Sequence, residues 1–449
     1  MGPEWIAIIA LVALFVVGTL LPINMGALAY VAAWLVGMYS LDLDEKEILA
    51  GISADLVLTL IGVTYLFAIA RQNGTVDLIV RTAVSSVGGR VALIPWVMFA
   101  VTAVITAIGA ASPAACAIIG PIALGFAGRY GISPLMMGMF VVHGAQAGGF
   151  SPISIYGTIT NSVMRDAGLG TSEMTVFLSS LLVNTAMAAI LFFVLGGRKL
   201  MSMRMDADGE LVTAGGGAAA VGGTTRRDRT DARSATGASP STGTPNPGDA
   251  GTTLEHTLTL LAFVAVAVVA LVFDKNIGFA AITAAVVLSI LTPKAYKDTV
   301  KQIAWPTVLL VAGVSTYATI LTTAGSPEFV GKWAAGLGAA AIGALILCYV
   351  GGIVSAFASS TALLPVIIPI AIPLVAEGGL SAGLFVAALA VSSTIVDVSP
   401  FSTNGALMLA NKPDSIAENT YYKQILGYAA IVTLVGPLLV WAALVLPGW

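Results

Sequence analysis

Two short stretches gather residue types that can do chemistry in otherwise apolar sequence: SPISIYG from Ser151 and SPFSTNG from Ser399, 248 positions apart. Ser151, Ser154, Thr158 and Asn161 make one polar set, and Ser399, Ser402, Thr403 and Asn404 the other. Upstream of each lies a Gly/Ala/Pro-interrupted apolar region with a polar turn, Ser112 and Pro113 in the first and Ser359, Ser360 and Thr361 in the second. Backbone that leaves the helix at membrane depth exposes N–H and C=O groups, and is tolerated only where protein or a cavity covers it. Such a break offers helix N-termini, whose free N–H groups suit a carboxylate. It also offers carbonyls and hydroxyls that suit a cation such as sodium. For a single hydroxyl, a bond to its own backbone or a neighbouring helix competes with this reading.

Two ionisable residues stand beside these sets. Asp397 lies in a neutral segment, where an acid is expensive and usually functional. It would repel a dianion, so a proton or cation role fits it better than substrate contact; a buried hydrogen-bonding role is the alternative. His143, in VVHGAQAGG, is of the residue type whose free side chain titrates in the range of proton handling, and a structural histidine at a helix interface explains it equally well. No Arg or Lys falls within the core of a predicted span, so an anionic substrate would be held by dipoles, hydroxyls and amides.

The elements that must position these residues follow from composition. The chain is 57% hydrophobic and 10% charged, and several uncharged runs are long enough to cross a bilayer as helices. This predicts an all-α polytopic membrane protein. Cys116 and Cys348 are far apart in apolar segments and imply neither a disulfide framework nor a metal site. The first apolar run, without a preceding basic region or a small-residue cleavage pattern, reads as a transmembrane helix rather than a signal peptide. With two histidines and no acidic pair within a span, the sequence offers no enzyme centre, and no nucleic-acid-binding feature is evident.

Residues 201–255, rich in Gly, Ser, Thr and Pro, read as a disordered linker between two transmembrane units, 1–200 and 256–449. The units are related. NMGALAYVAAW from Asn24 matches NIGFAAITAAV from Asn276, and GVTYLFAIARQNG from Gly62 matches GVSTYATILTTAG from Gly313. ASPAACAIIGP, ending at Pro121, matches SSTALLPVIIP, ending at Pro369, and the SPxS stretches follow in the same order. Spanning helices are expected near 5–22, 25–40, 53–70 and 174–196, then near 257–273, 277–292, 304–322 and 424–446. Between them lie interrupted regions at 90–128 and 334–375, and broken helices from about 134 and 381. If each interrupted region is a re-entrant hairpin, each unit has five crossings and the two repeats are inverted. With both termini outside and the linker cytoplasmic, sixteen Arg/Lys fall on the inside and four on the outside, as the positive-inside rule requires.

PINMGALAYVAAW, VTYLFAIARQNGTVDLIV, LIPWVMF and HGAQAGGFSPISIYGTITN resemble the malonate-carrier family of dicarboxylate permeases, densely over about the first 200 residues. VDVSPFSTNGALMLAN carries the likeness into the second half. More distantly, the two-hairpin plan resembles the divalent anion:sodium symporters of the ion transporter superfamily. The resemblance implies a homodimer in the inner (plasma) membrane, elevator-like alternating access, and a small dicarboxylate substrate moved with Na+ or H+ and no resident cofactor. In the distant symporters each hairpin tip reads Ser-Asn-Thr; here the tips read Ala111-Ser112-Pro113 and Ser359-Ser360-Thr361, so the second is the closer. A cation/proton antiporter on the same scaffold and a carrier for succinate or citrate stay open as alternatives.

Overall fold

The computed structural model describes residues 2–21, 23–85, 87–170, 172–205, 211–213, 253–273, 275–335, 340–356 and 360–447. Ser359 and most of the expected linker lie outside the described residues. The first unit is built from α1 (Pro3–Leu20), α2 (Met25–Ser40), α3 (Glu45–Ala50), α4 (Ala54–Gln72) and α5 (Thr75–Ser85). It continues with α6 (Leu93–Ala107), α7 (Ser112–Tyr130), α8 (Pro134–Gly148), α9 (Ile155–Asp166) and α10 (Glu173–Val194). A short helix α11 (Gly197–Leu200) and a two-stranded ribbon, β1 (Met203–Met205) with β2 (Leu211–Thr213), follow it.

The second half of the chain contains α12 (Thr253–Leu271), α13 (Ile277–Leu291), α14 (Trp305–Thr323), α15 (Ser326–Ala335) and α16 (Ala340–Ser355). It ends with α17 (Ser360–Gly378), α18 (Ala382–Ile395), α19 (Thr403–Ala410) and α20 (Glu418–Leu444). The chain is an all-α membrane protein, with six helices long and apolar enough to cross a bilayer among the described residues. Large apolar side chains project outward from α1, α10, α12, α13 and α20, as lipid contact requires.

No long apolar run marks α5 or α15. Both are short and amphipathic: in α5, Val76 and Val80 are buried while Asp77 and Arg81 lie on the other face. Helices of this kind carry their signal in periodicity rather than in mean hydropathy.

Glycines aligned between the halves mark where the two units cross. A Cβ on Gly26 of α2 would fall 2.1 Å from the Leu309 carbonyl oxygen, and one on Gly313 of α14 would fall 2.0 Å from that of Gly26. At the matching crossing, a Cβ on Gly62 of α4 would fall 2.6 Å from the Gly278 carbonyl oxygen on α13. In these two pairs, α2 with α14 and α4 with α13, the helices thus lie backbone-to-backbone, which only small residues permit. The start of each crossing helix is tied as well. Asn24 caps α2, accepting from Gly26 N–H at 2.9 Å, and its Nδ2 donates to the Pro306 carbonyl at 3.0 Å. Asn276 caps α13, accepting from Phe279 N–H at 3.0 Å, and its Nδ2 donates to Asp55 at the start of α4.

The helices that carry the polar stretches are the innermost. Residues 135–148 of α8 and 385–395 of α18 are buried on every side. A helix apolar all round belongs inside the protein, so both breaks sit where neighbouring helices, not lipid, cover the interrupted backbone.

Candidate functional site

Both expected breaks are present. α8 stops at Gly148 and α9 resumes at Ile155; α18 stops at Ile395 and α19 resumes at Thr403. The shared S-P-x-S-x-x-G pattern has a local cause. Ser154 and Ser402 are the N-caps, and their hydroxyls donate to the carbonyls of Ser151 and Ser399, each at 2.7 Å. Ser154 also accepts from Gly157 N–H at 3.3 Å. The loop therefore folds under the first turn of the new helix. A Cβ on Gly157 would meet the Ser151 oxygen at 1.9 Å and one on Gly405 the Ser399 oxygen at 2.0 Å, so the last position must be glycine. Ser151 and Ser399 brace the loops: Ser151 Oγ donates to the Ala107 carbonyl at the end of α6 at 2.5 Å, and Ser399 Oγ accepts from Phe401 N–H at 3.1 Å.

Asn404, in the first turn of α19, joins the second break to the first hairpin turn. Its Nδ2 donates to Asp397 Oδ2 and to Ser112 Oγ, both at 2.8 Å, while its main-chain N–H lies 3.5 Å from Asp397 Oδ1. Asn404 is fully buried and its Oδ1 has no partner. Asp397 is buried without a basic partner among the described residues. Three residues singled out from two distant stretches of sequence, Ser112 from one and Asp397 and Asn404 from the other, thus form one hydrogen-bonded chain.

Ser112 also stands on the wall of a central cavity of about 250 Å³. Its walls combine the first turn (Ala110–Pro113), Thr361 from the second, Gly149, Ile155 and Tyr156 from the first break, and Thr403 from the second. Gly18, Asn24, Met25, Pro306, Thr307 and Leu310 close the far side. The N-terminal turns of six helices, α2, α7, α9, α14, α17 and α19, reach this space, and no charged side chain lines it among the described residues. Such a cavity can hold an anion by main-chain N–H groups, hydroxyls and helix dipoles.

The remaining expected residues divide. Ser360 bonds Ser355 Oγ at 2.7 Å and the Ser393 carbonyl at 3.2 Å, bracing the second turn rather than facing the cavity. Thr158 and Asn161 open on a different, smaller pocket. His143 is not on the cavity: Nδ1 meets Asn184 Oδ1 at 2.8 Å and Nε2 meets the Tyr428 hydroxyl at 2.6 Å. The Asn184 Nδ2 already donates to Ser180, so its Oδ1 accepts from a protonated Nδ1. Both ring nitrogens are thus satisfied by protein partners. Tyr156 is a cavity residue missed in the sequence; its hydroxyl lies beside Ser112 and Thr361. The signal existed, because Tyr156 occupies the position in SPISIYG that Asn404 holds in SPFSTNG.

Comparison with known proteins bears on both halves. Residues 1–149 match the family model described as dicarboxylate carrier protein MatC N-terminus. Residues 269–448 match the citrate transporter family model, CitMHS. No match was found among curated proteins. Both matched families are carriers, so the chain is a permease and not an enzyme. With one match in each half, the chain is similar to dicarboxylate carriers over its first third and to citrate transporters over most of its second half, a pairing consistent with a malonate-carrier-like member of the ion transporter superfamily.

Proposed function

We propose that the chain is a secondary active carrier for a small dicarboxylate such as malonate, bound in the central cavity and moved by alternating access. The observation that carries this reading is the convergence of six helix N-termini on an uncharged cavity, with Ser112, Thr361, Thr403 and Tyr156 as hydroxyl donors. Carboxylate oxygens need such donors, and a site without Lys or Arg can release its anion without breaking a salt bridge.

In the proposed cycle the two halves are inverted repeats, and α6–α7 and α16–α17 are re-entrant hairpins. The breaks and hairpin turns move together past a scaffold of crossed α2/α14 and α4/α13, elevator-fashion, within a homodimer of the inner membrane. Asp397 takes up the coupling ion, sodium or a proton, and both termini lie outside with the linker in the cytoplasm. The citrate-transporter match of the second half favours a second reading, a tricarboxylate substrate, for the same cavity. A cation/proton antiporter would keep the role of Asp397 without an organic anion.

Uptake of labelled malonate, succinate and citrate into proteoliposomes, under separate sodium and proton gradients, tests these readings. Gradient-driven uptake of malonate is the expected result. Absence of uptake for all three acids refutes the carrier reading, and proton-coupled cation flux in its place establishes the antiporter.

A further inference from the structure

The face of α9 that turns away from the central cavity leads elsewhere. Thr158, Asn161, Ser162 and Arg165 follow one another at helical spacing and line a second pocket of about 120 Å³. That is well above the roughly 10–15 Å³ a single water centre needs. Across from them stand Asp55 at the start of α4 and Lys275 beside Asn276 at the start of α13. Asn161 is only 2% exposed, and neither its Nδ2 nor its Oδ1 has a partner. A buried primary amide left wholly unpaired on a pocket wall is a polar group waiting for a ligand.

The two spaces are closed by different helix starts. The cavity is closed by the starts of α2 and α14, at Asn24, Met25, Pro306 and Thr307. The second pocket is closed by the starts of α4 and α13. Only short helical segments separate α2 from α4 and α13 from α14, so in a membrane-spanning reading each pair runs antiparallel and the two sets of starts point to opposite membrane faces. α9 touches both spaces, and from Tyr156 to Asn161 it advances roughly 7.5 Å at 1.5 Å per residue.

The charge balance decides what would sit there. Asp55 is already held, through Oδ1 by Asn276 and through Oδ2 by Arg165 at 3.8 Å. Glu173, the other acid on the pocket, is also engaged. Lys275 has no acidic partner among the described residues, and the Arg165 guanidinium carries five N–H donors, of which one carboxylate uses at most two. The unused valences are therefore mostly donors, two of them cationic, around a buried amide. Among the described residues a cation would find no carboxylate without a partner, whereas an anion would find three groups.

We propose that this pocket is a second, peripheral carboxylate subsite, in which Lys275 and Arg165 take a carboxylate group and the Asn161 amide donates to it, on the membrane face opposite the central cavity. It deepens the carrier reading: a substrate arriving from that face is captured here before it reaches the cavity on the other side of α9.

The test uses the full chain. Uptake kinetics for malonate are measured from each membrane face, in whole cells and in inverted vesicles, for wild type, Lys275→Gln and Asn161→Ala. Lys275 is exposed, so its variant keeps the fold. Lys275→Gln raises KM from the subsite's face about two- to fivefold, and Asn161→Ala about three- to tenfold. KM from the other face and the maximal rate stay within about twofold in both. Unchanged KM in both variants, or an equal rise from both faces, overturns the subsite. Calorimetric titration of the solubilised chain with malonate reads the pocket without transport. Wild type binds more than one malonate per chain and Lys275→Gln loses the weaker binding event, whereas a single event unchanged by the variant counts against the proposal. If wild type transports no carboxylate, the carrier reading fails, and calorimetry still decides the subsite.

Discussion

Asn404→Ala separates the site from the scaffold most sharply. The amide makes two bonds at 2.8 Å, one to the Asp397 carboxylate and one to Ser112 Oγ. A hydrogen bond to a charged group contributes about 1.5–3 kcal/mol, and a neutral one about 0.5–1.5 kcal/mol. Against that loss, truncation removes the buried Oδ1 that has no partner, whose desolvation costs about 1–3 kcal/mol. The terms nearly offset, leaving a net destabilisation of about 1–2 kcal/mol, small enough for the carrier to fold. Function has no such compensation. Asp397 keeps the weak 3.5 Å contact with the Asn404 main-chain N–H, and Ser112 loses the donor that fixes its hydroxyl on the cavity wall. At 1.4 kcal/mol per tenfold, loss of this orientation lowers kcat/KM for dicarboxylate uptake by about tenfold or more. The assay is initial uptake into proteoliposomes, normalised to the monodisperse fraction of protein. His143→Ala serves as the control, because it breaks a buried two-bond pair away from the cavity. Asn404→Ala transporting at the wild-type rate per folded molecule would refute the placement of this chain of bonds in the site.

Further outcomes follow from the same geometry. His143→Ala loses about 1–3 kcal/mol of stability, seen as a lower melting temperature in detergent, while uptake per folded molecule and its response to a proton gradient are retained; loss of that response alone would give the histidine a coupling role. Asp397→Asn abolishes the dependence of uptake on the ion gradient but leaves substrate exchange, measured by counterflow, because the cavity wall is intact; equal loss of both would place Asp397 in substrate binding. Tyr156→Phe removes the hydroxyl beside Ser112 and Thr361 and raises KM for the dicarboxylate about threefold to tenfold, without altering gradient dependence. Gly26→Ala and Gly62→Ala each drive a Cβ into a carbonyl of the other unit, costing about 1–3 kcal/mol or more; both lower the yield of folded carrier on size-exclusion chromatography, and normal yields would contradict the close crossings.

The breaks were legible in the sequence because they are local. Pro152 and Pro400, the capping serines and the glycines three positions after them carry the whole geometry within seven residues, and duplication displays it twice. The link between Ser112 and Asn404 was legible only as membership of one set, since the bond spans 292 positions that no local pattern encodes. Asn161 illustrates the limit. It follows the first break in sequence and reads as part of the same cluster, yet on α9 it lies more than one turn beyond Tyr156 and faces the other way. His143 fails for the converse reason. Its type suggests proton handling, but its partners, Asn184 and Tyr428, come from α10 and α20 and occupy both ring nitrogens.

The two breaks share a fold but not a set of attachments. The first is neutral and tied mostly within its own half, through Ser151 to the end of α6 and through Ser154 to its own loop. The second carries Asp397 and is tied across to the other half through Asn404 and Ser112. A buried carboxylate without a basic partner is costly unless a proton or cation neutralises it, so the charge state of Asp397 bears on how firmly the second break holds the first hairpin turn. At the matching position the first break offers Tyr156, which faces the cavity and, like Asn404, reaches Ser112. Both breaks therefore converge on one hydroxyl, one bringing a charge-sensitive link and the other a substrate-facing group. In the proposed carrier, Ser112 is where ion occupancy and substrate occupancy can influence each other without direct contact between ion and anion, and a chain with two identical breaks would lack that division.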